Sequence, residues 1–199
     1  MNVAHAGRIG PNAIIQTTAA LREHVGDPRA LALVHGATGR SLSEMPTEMV
    51  DEDEVNRLVR SMRADLDPAL FEAVLHDAGC RTADYLIANR IPRAVQWLMR
   101  VLPAPVALRV LLAGIMRHTW TFAGSAAVRI ARTRGAPLRL VLTQCPMCRA
   151  MHEPAPACHF YAGTLEHLLQ RLVTPRARVV EVACEAAGAG GCEFSLAVS

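Results

Sequence analysis

Length, composition and charge exclude several classes of protein before any motif is considered. The chain has 199 residues, of which 51% are apolar, and its formal net charge is +3. This length suits one domain with its own core, and the apolar content excludes a disordered chain. All 21 basic residues are arginines, and they are spread among apolar residues in helical segments, whereas a nucleic-acid interface would concentrate them. The sequence therefore predicts a globular protein without a nucleic-acid partner.

The first residues lack the charged, apolar and small-residue order of a signal peptide. The most apolar stretch, residues 94–116, is interrupted by Arg100, Pro103, Pro105 and Arg109, so it predicts two helices hinged at the prolines and not a bilayer span. We therefore expect a cytoplasmic protein, with contact to a membrane surface left open. In that compartment cysteines stay reduced, and a cluster of them indicates metal binding or catalysis.

Helical spacing dominates the first part of the chain. Apolar residues recur at helical spacing over residues 12–25, where Gly26 provides a stop, and a short helix is predicted over 28–35. An acidic first turn opens a helix within residues 50–66, which suits the helix dipole. Asp67 and Pro68 begin another helical region, which continues to about Arg117.

The period then changes to that of strands. Trp120 and Phe122, and then Val128 and Ile130, alternate within residues 118–135, and residues 136–144 alternate likewise. An amphipathic helix follows over 158–173, and two strands are predicted over 177–186 and 192–198. The predicted class is α+β, in which N-terminal helices pack on a C-terminal antiparallel sheet that one helix interrupts. We expect a helical region over residues 1–109 and an α+β ligand-binding domain over 110–199, built as one compact unit.

Three cysteines and one glutamate in the last third of the chain form a candidate metal site. Cys184 and Cys192 lie at facing ends of the predicted hairpin, Glu181 precedes Cys184 by three residues, and Cys158 begins the preceding helix. Residues three apart on a regular strand point to opposite faces, so this arrangement requires a local bend. The alternative is that each cysteine is a small buried apolar residue.

The pair Cys145 and Cys148 competes for the same role. C-x-x-C is the stronger short metal motif, but no second C-x-x-C completes it. Its alternative interpretation is a turn with two ordinary thiols. The sequence leaves open which cysteines bind metal.

The stretches "CHFYAGTLEHLL" and "VVEVACEAAGAGGCEFSLAV", with their separation, resemble the 4-vinyl reductase domain family. This family occurs in bacteriochlorophyll biosynthesis proteins and in effector-sensing modules of bacterial transcription activators, and the resemblance covers residues 110–199 best. It implies a structural zinc held by Cys158, Glu181, Cys184 and Cys192. The length, without an attached ATPase or DNA-binding domain, favours the bacteriochlorophyll branch.

Three functions follow from this resemblance. The first is a tetrapyrrole-binding protein that holds or delivers a magnesium porphyrin or chlorophyllide, working beside enzymes such as magnesium chelatase or the magnesium protoporphyrin methyltransferase. The second is an 8-vinyl reductase, although the chain shows no nicotinamide or flavin motif and a closed zinc site performs no redox chemistry. The third is an effector-sensing or adaptor module, and a homodimer or a peripheral position at the photosynthetic membrane fits any of the three.

The candidate pocket lies between the helices of residues 92–117 and the strands predicted from Trp120 onward. A flat macrocycle with carboxylate tails requires apolar walls and an arginine or two at the mouth. Its candidate binding residues are Trp97, Met116, His118, Trp120, Phe122 and Tyr161, with His118 as a candidate axial ligand to magnesium. Each of these side chains has an ordinary alternative as a core or surface residue.

Overall fold

A computed structural model of the chain describes residues 7–198. Seven α-helices occur within these residues. Their bounds are α1 Asn12–Val25, α2 Asp27–Thr38, α3 Glu52–Asp65, α4 Pro68–Asn89, α5 Arg93–Val101, α6 Ala104–Arg117 and α7 His159–Leu172. A 3₁₀ turn, Thr119–Thr121, follows α6.

Local side-chain chemistry fixes several helix ends. The Asp51 carboxylate accepts a hydrogen bond from the backbone N–H of Asp53 and caps α3. The Asp67 carboxylate accepts from the N–H of Leu70 at the start of α4, whose first residue is Pro68. Both are standard N-caps that satisfy otherwise unpaired backbone donors. At the end of α1, Gly26 has φ +78°, which ends the helix and turns the chain into α2.

The larger of two antiparallel sheets has the strand order β3-β4-β6-β5. Its strands are β3 Ala127–Ala131, β4 Leu138–Thr143, β5 Arg178–Ala183 and β6 Cys192–Ala197. Helix α7 connects β4 to β5, and β6 then inserts between them. A two-stranded sheet pairs β1, Arg8–Ile9, with β2, Val50–Asp51.

The helices α4 and α7 form the most extensive contact between two elements. Two glycines allow this close approach: a Cβ on Gly163 would lie 2.4 Å from the carbonyl oxygen of His76, and one on Gly79 would lie 2.3 Å from that of Phe160. The apolar stripe of α7, which includes Leu165, Leu168 and Leu172, is buried. These contacts join the helical part of the chain to the sheet in one continuous core.

The α+β prediction, with helices first and a sheet interrupted by one helix, is confirmed. The strand predicted around Trp120 and Phe122 is wrong, because that segment forms the 3₁₀ turn. The Thr121 hydroxyl donates to the carbonyl oxygen of His118, and the Thr121 carbonyl accepts from the N–H of Gly10, so this backbone pairs with the start of the chain instead of the sheet. Among residues 7–198, no helix combines the length and apolar character that crossing a bilayer requires.

Candidate metal centre

A bulge in β5 places Glu181 and Cys184 at the same end of the sheet. Glu181 pairs with Phe194 and Ala183 with Glu193, so the register shifts between Glu181 and Ala183. An extra residue of this kind bends a strand and re-aims the side chains that follow. The local bend predicted for these two residues is therefore confirmed.

Cys158 reaches this end of the sheet from the start of α7, where it occupies the N-cap position. Its backbone N–H donates to Oε2 of Glu181 at 2.8 Å. The positive end of the α7 dipole thus faces the cluster, which favours negative charge there. Cys192, the first residue of β6, completes the set, with its Sγ 3.5 Å from that of Cys158.

Cys145 and Cys148 join the same cluster, in the loop that follows β4. The Sγ atoms of Cys145 and Cys158 are 3.5 Å apart, and those of Cys148 and Cys192 are also 3.5 Å apart. The two motifs that the sequence presents as rivals therefore meet at one place. The antiparallel pairing of β4 with β6 explains this, because it sets Leu142 opposite Cys192.

Two side chains outside the cluster hold the Cys145–Cys148 loop. The Glu185 carboxylate accepts hydrogen bonds from the backbone N–H groups of Gln144 and Cys145 at 2.6 and 2.8 Å. From α3, the buried Asn56 amide donates to the carbonyl oxygens of Pro146 and Arg149 at 3.0 and 2.9 Å. The sequence analysis missed both residues, and no local motif marks either of them.

The distances in the cluster suit metal coordination. The five buried cysteines are free thiols. Their hydrogen-bonded sulfur pairs are 3.5–3.9 Å apart, and a zinc–sulfur bond of about 2.3 Å gives a tetrahedron with edges of about 3.8 Å. Two sets of four donors each have all their ligand atoms within 4.8 Å of one another. These sets are Cys145, Cys148, Cys158 and Cys192, and Cys158, Glu181, Cys184 and Cys192.

Glu181 brings a second indication that a cation belongs here. Its Oε1 atom is buried and has no hydrogen-bond partner among the described residues. Burial raises the pKa of Glu181 to about 8, and the charge of the neighbouring Cys184 adds to the rise. A bound cation would satisfy the orphaned oxygen and offset the cost of burying the carboxylate.

The thiols also perturb one another. Hydrogen bonds from other thiols, with Cys145 the largest contributor, lower the pKa of Cys148, while the hydrogen bond with Cys145 contributes most to raising the pKa of Cys192. Without a positive ion, the cluster therefore concentrates its negative charge on a few sulfurs. Such a sulfur-rich cluster could hold a metal ion, and thiolate ligands favour soft or borderline ions.

The candidate pocket residues fall into different places. Trp97 lies on α5 and is 66% exposed, and Trp120 in the 3₁₀ turn is 41% exposed. Met116 lies at the end of α6 and is partly buried against the core. His118 is exposed and its Nδ1 lies 2.8 Å from the carbonyl oxygen of Gly114; if Nδ1 donates this bond, Nε2 carries the lone pair.

Phe122 and Tyr161 are brought together. Their rings meet edge to face with centroids 6.3 Å apart, and the Tyr161 hydroxyl donates to the Phe122 carbonyl oxygen at 2.7 Å. Burial raises the pKa of Tyr161 well above its usual value, and its hydroxyl is satisfied. Tyr161 thus functions as a core residue, while Phe122 packs at the edge of the core.

An apolar groove of about 500 Å³ lies at the other end of the sheet, between α6 and strands β4 and β6. Its apolar lining consists of Pro105, Leu108, Pro137, Leu138, Leu196, Ala197 and Val198. Arg109 and Arg132 also line it. Neither guanidinium forms an ion pair with a carboxylate within residues 7–198. The groove and His118 are separate surfaces, because Arg109 and His118 are about 13 Å apart along the helix axis at 1.5 Å per residue.

Two curated relatives match almost the whole chain. The bacteriochlorophyll synthase 23 kDa chain of Cereibacter sphaeroides is 40% identical over 193 residues, which cover 97% of this chain and 92% of the relative. The protein of the same name from Rhodobacter capsulatus is 35% identical, over 95% of this chain and 86% of the relative. The chain belongs to this family.

The family model of the 4-vinyl reductase domain matches residues 138–197 of this member of the 23 kDa chain family. That match confirms the resemblance seen in the sequence. The matched segment contains all six donors of the cluster, so both sets of four lie wholly within the domain.

Solved H-NOX structures share the fold. An H-NOX protein mutant from K. algicida, in the unliganded Fe(II) state, superposes with a TM-score of 0.55 at 9% identity, covering 94% of this chain and 95% of its own. The S. oneidensis H-NOX protein gives 0.54 at 12% identity, covering 96% and 99%. A third structure, from work on heme distortion in the H-NOX family, gives 0.56 at 12% identity, covering 94% of each chain. At these identities the likeness concerns the fold.

Proposed function

We propose that this protein binds a magnesium tetrapyrrole of bacteriochlorophyll biosynthesis and holds it for, or delivers it to, the enzymes of that pathway. Membership of the bacteriochlorophyll synthase 23 kDa chain family supports the pathway. Proteins of the H-NOX fold, which one solved structure connects with heme, support the idea that this architecture accommodates a macrocycle.

The observation that carries the proposal is the groove between α6 and the sheet. Its apolar walls offer a flat ring the burial it needs, and its volume lies in the range of about 300–1,000 Å³ usual for small-molecule pockets. Arg109 and Arg132 offer two guanidinium groups to the carboxylate tails of a tetrapyrrole. Apolar walls with arginines at the mouth are the combination expected from the ligand's chemistry.

The residues first expected to bind the ligand define a second location for the same test. Met116, His118, Trp120 and Phe122 lie close together in sequence at the end of α6, and His118 has a ring nitrogen suited to magnesium. Trp97, on the exposed face of α5, stays apart from both locations in sequence. We place the ligand in the groove because the two arginines and the apolar walls converge there.

We further propose that Cys158, Glu181, Cys184 and Cys192 hold a structural zinc ion. Zinc bound there would join the start of α7 to the hairpin of β5 and β6, and would contribute folding free energy directly. Its four protein donors would fill the coordination sphere, leaving no open position for substrate. The site's role is therefore to hold the sheet end together and not to reduce a vinyl group.

Titration with magnesium protoporphyrin, followed by its absorption spectrum, tests the binding proposal. We expect saturable binding by the purified protein, and weakening of about tenfold or more in Arg109→Ala and Arg132→Ala. Arg60→Ala, an exposed arginine on α3, is the matched control and should bind as the wild type does.

Other outcomes reject the proposal in distinct ways. Wild-type affinity in both groove variants together with loss in His118→Ala and Trp120→Ala would move the ligand to the end of α6. No saturable binding would favour the adaptor function. Loss of the 8-vinyl group of divinyl chlorophyllide, with the pure chain and a nicotinamide cofactor, would establish the reductase.

A further inference from the structure

The two sets of donors in the metal centre overlap in Cys158 and Cys192. Cys145 and Cys148 complete one set, and Glu181 and Cys184 complete the other. We infer that the centre binds two divalent metal ions, with the thiolates of Cys158 and Cys192 bridging them. The inference extends the single zinc proposed above, on which it rests.

The placement of the shared pair supports bridging. Two tetrahedra can share an edge only if both shared donors are adjacent, and the sulfurs of Cys158 and Cys192 are 3.5 Å apart. Each shared sulfur also contacts a donor of each set: Cys158 contacts Cys145 and Cys184, and Cys192 contacts Cys148 and Cys184. The shared pair thus lies between the two ends of the cluster, as bridging ligands must.

Charge favours two ions over one. Five thiolates and one carboxylate carry six negative charges, so a single divalent ion leaves four of them uncompensated in a buried site, or requires several thiols to keep their protons. A second divalent ion reduces the remaining charge to two. Each thiol that ligates releases its proton to solvent, and the α7 N-terminus helps to stabilise the remaining negative charge.

The second set is also held in position by the rest of the fold. Glu185 binds the backbone at Gln144 and Cys145, and Asn56 binds the loop carbonyls on both sides of Cys148. These hydrogen bonds fix the loop from two separate elements, so Cys145 and Cys148 are presented to the cluster independently of Glu181 and Cys184. Such support is what orients donors in metal sites.

Metal content of purified variants tests the inference ligand by ligand. After loading with Zn²⁺ under reducing conditions and removal of excess ion, we expect two zinc ions per chain in the wild type. Cys145→Ser and Cys148→Ser should each retain one, and Cys184→Ser should also retain one. Cys192→Ser should lose both, and Cys80→Ser, which alters a cysteine outside the cluster, should keep both.

Cobalt replaces zinc as a spectroscopic probe of bridging. Co²⁺ added to the metal-free protein should give a paramagnetic resonance signal that grows to one equivalent and then falls toward two, because thiolate bridges couple the two ions magnetically. Circular dichroism of each variant establishes that it is folded. If Cys192→Ser is unfolded, the Cys145, Cys148 and Cys184 variants and the cobalt titration still decide the question.

The possible failures are distinguishable. One zinc per wild-type chain, retained in Cys148→Ser and lost in Cys184→Ser, would overturn the two-ion inference and leave the single zinc site intact. One zinc lost in Cys148→Ser and retained in Cys184→Ser would overturn both and assign the ion to the other set. Two cobalt ions with additive signals would overturn the bridge, and no bound metal would overturn both proposals.

Discussion

The side-chain amide of Asn56 donates a hydrogen bond to the carbonyl oxygen of Arg149 at 2.9 Å, although 93 positions separate the two residues. Through this bond and its partner at Pro146, helix α3 holds the loop that carries Cys145 and Cys148. The metal centre therefore depends on a residue far outside the segment that supplies its donors.

Replacing this amide should affect one half of the centre. Asn56→Ala leaves two loop carbonyls without their donor, so we expect the free energy of unfolding to fall by about 1–3 kcal/mol. Zinc content should fall from two to one per chain, because the loop loses its support while Glu181 and Cys184 keep theirs. Elemental analysis and denaturant unfolding measure both effects, with Arg60→Ala as the control on the same helix. Full zinc content in Asn56→Ala would contradict this dependence.

The Glu52 carboxylate ties α3 to the loop before β3. It accepts from the N–H and hydroxyl of Ser125 at 2.7 and 2.6 Å and pairs with Arg149 at 2.7 Å. Burial alone would raise the pKa of Glu52, but the hydrogen bonds from Ser125 and the charge of Arg149 outweigh it and lower the pKa. The stabilisation is therefore present above the ordinary carboxyl pKa and is lost as the pH falls through the lowered one.

We expect Glu52→Gln to reduce the free energy of unfolding near neutral pH by about 1–3 kcal/mol. The difference from the wild type should shrink as the pH falls below about 4, where both carry a neutral group. Denaturant unfolding at several pH values measures this. Asp65→Asn, which alters an exposed ion pair with Arg29, serves as the control and should change stability little. A difference that stays constant with pH would contradict the role of charge.

Cys80 should be an unreactive thiol despite its partial exposure. Burial, followed by the charges of Asp77, Asp84 and Glu166, raises its pKa to about 11 from an ordinary value of 9.0. At pH 8 the thiolate fraction is then about a hundredfold lower than that of an ordinary cysteine, and reaction with iodoacetamide slows accordingly. The rate should rise with pH up to about 11. Peptide mass mapping gives the rate, and the chain in denaturant provides the reference; equal rates at pH 8 would refute the prediction.

Gly163 is required for the contact between α4 and α7. A Cβ at this position would lie 2.4 Å from the backbone oxygen of His76, so the helices must move apart. We expect Gly163→Ala to destabilise the fold by about 1–3 kcal/mol or more. Gly114 in α6 has open space around the corresponding position, and Gly114→Ala should stabilise by up to about 1 kcal/mol. Thermal unfolding compares the two variants, and similar stability changes would show that the close approach is unimportant.

The elements with strong local signals were predictable from the sequence. Helix α1 was predicted with its observed bounds because Gly26 provides a clear stop, and the bend at Glu181 followed from the geometry of strands. The 3₁₀ turn at Trp120 was not predicted, because its alternating aromatic residues imitate a strand and its stabilising bond comes from Gly10. Likewise, the sequence could not predict that Cys145 would meet Cys158, because this depends on β6 inserting beside β4.

The position of β6 in the middle of the sheet has a consequence for biosynthesis of the protein. Because β6 separates β4 from β5, the sheet cannot close until residues up to at least Cys192 have emerged from the ribosome. Until then the sulfurs of the earlier cysteines lack a partner that both sets share, and β4 exposes an unpaired edge. The nascent chain therefore completes its helical part first and acquires metal as one of the last events of its maturation.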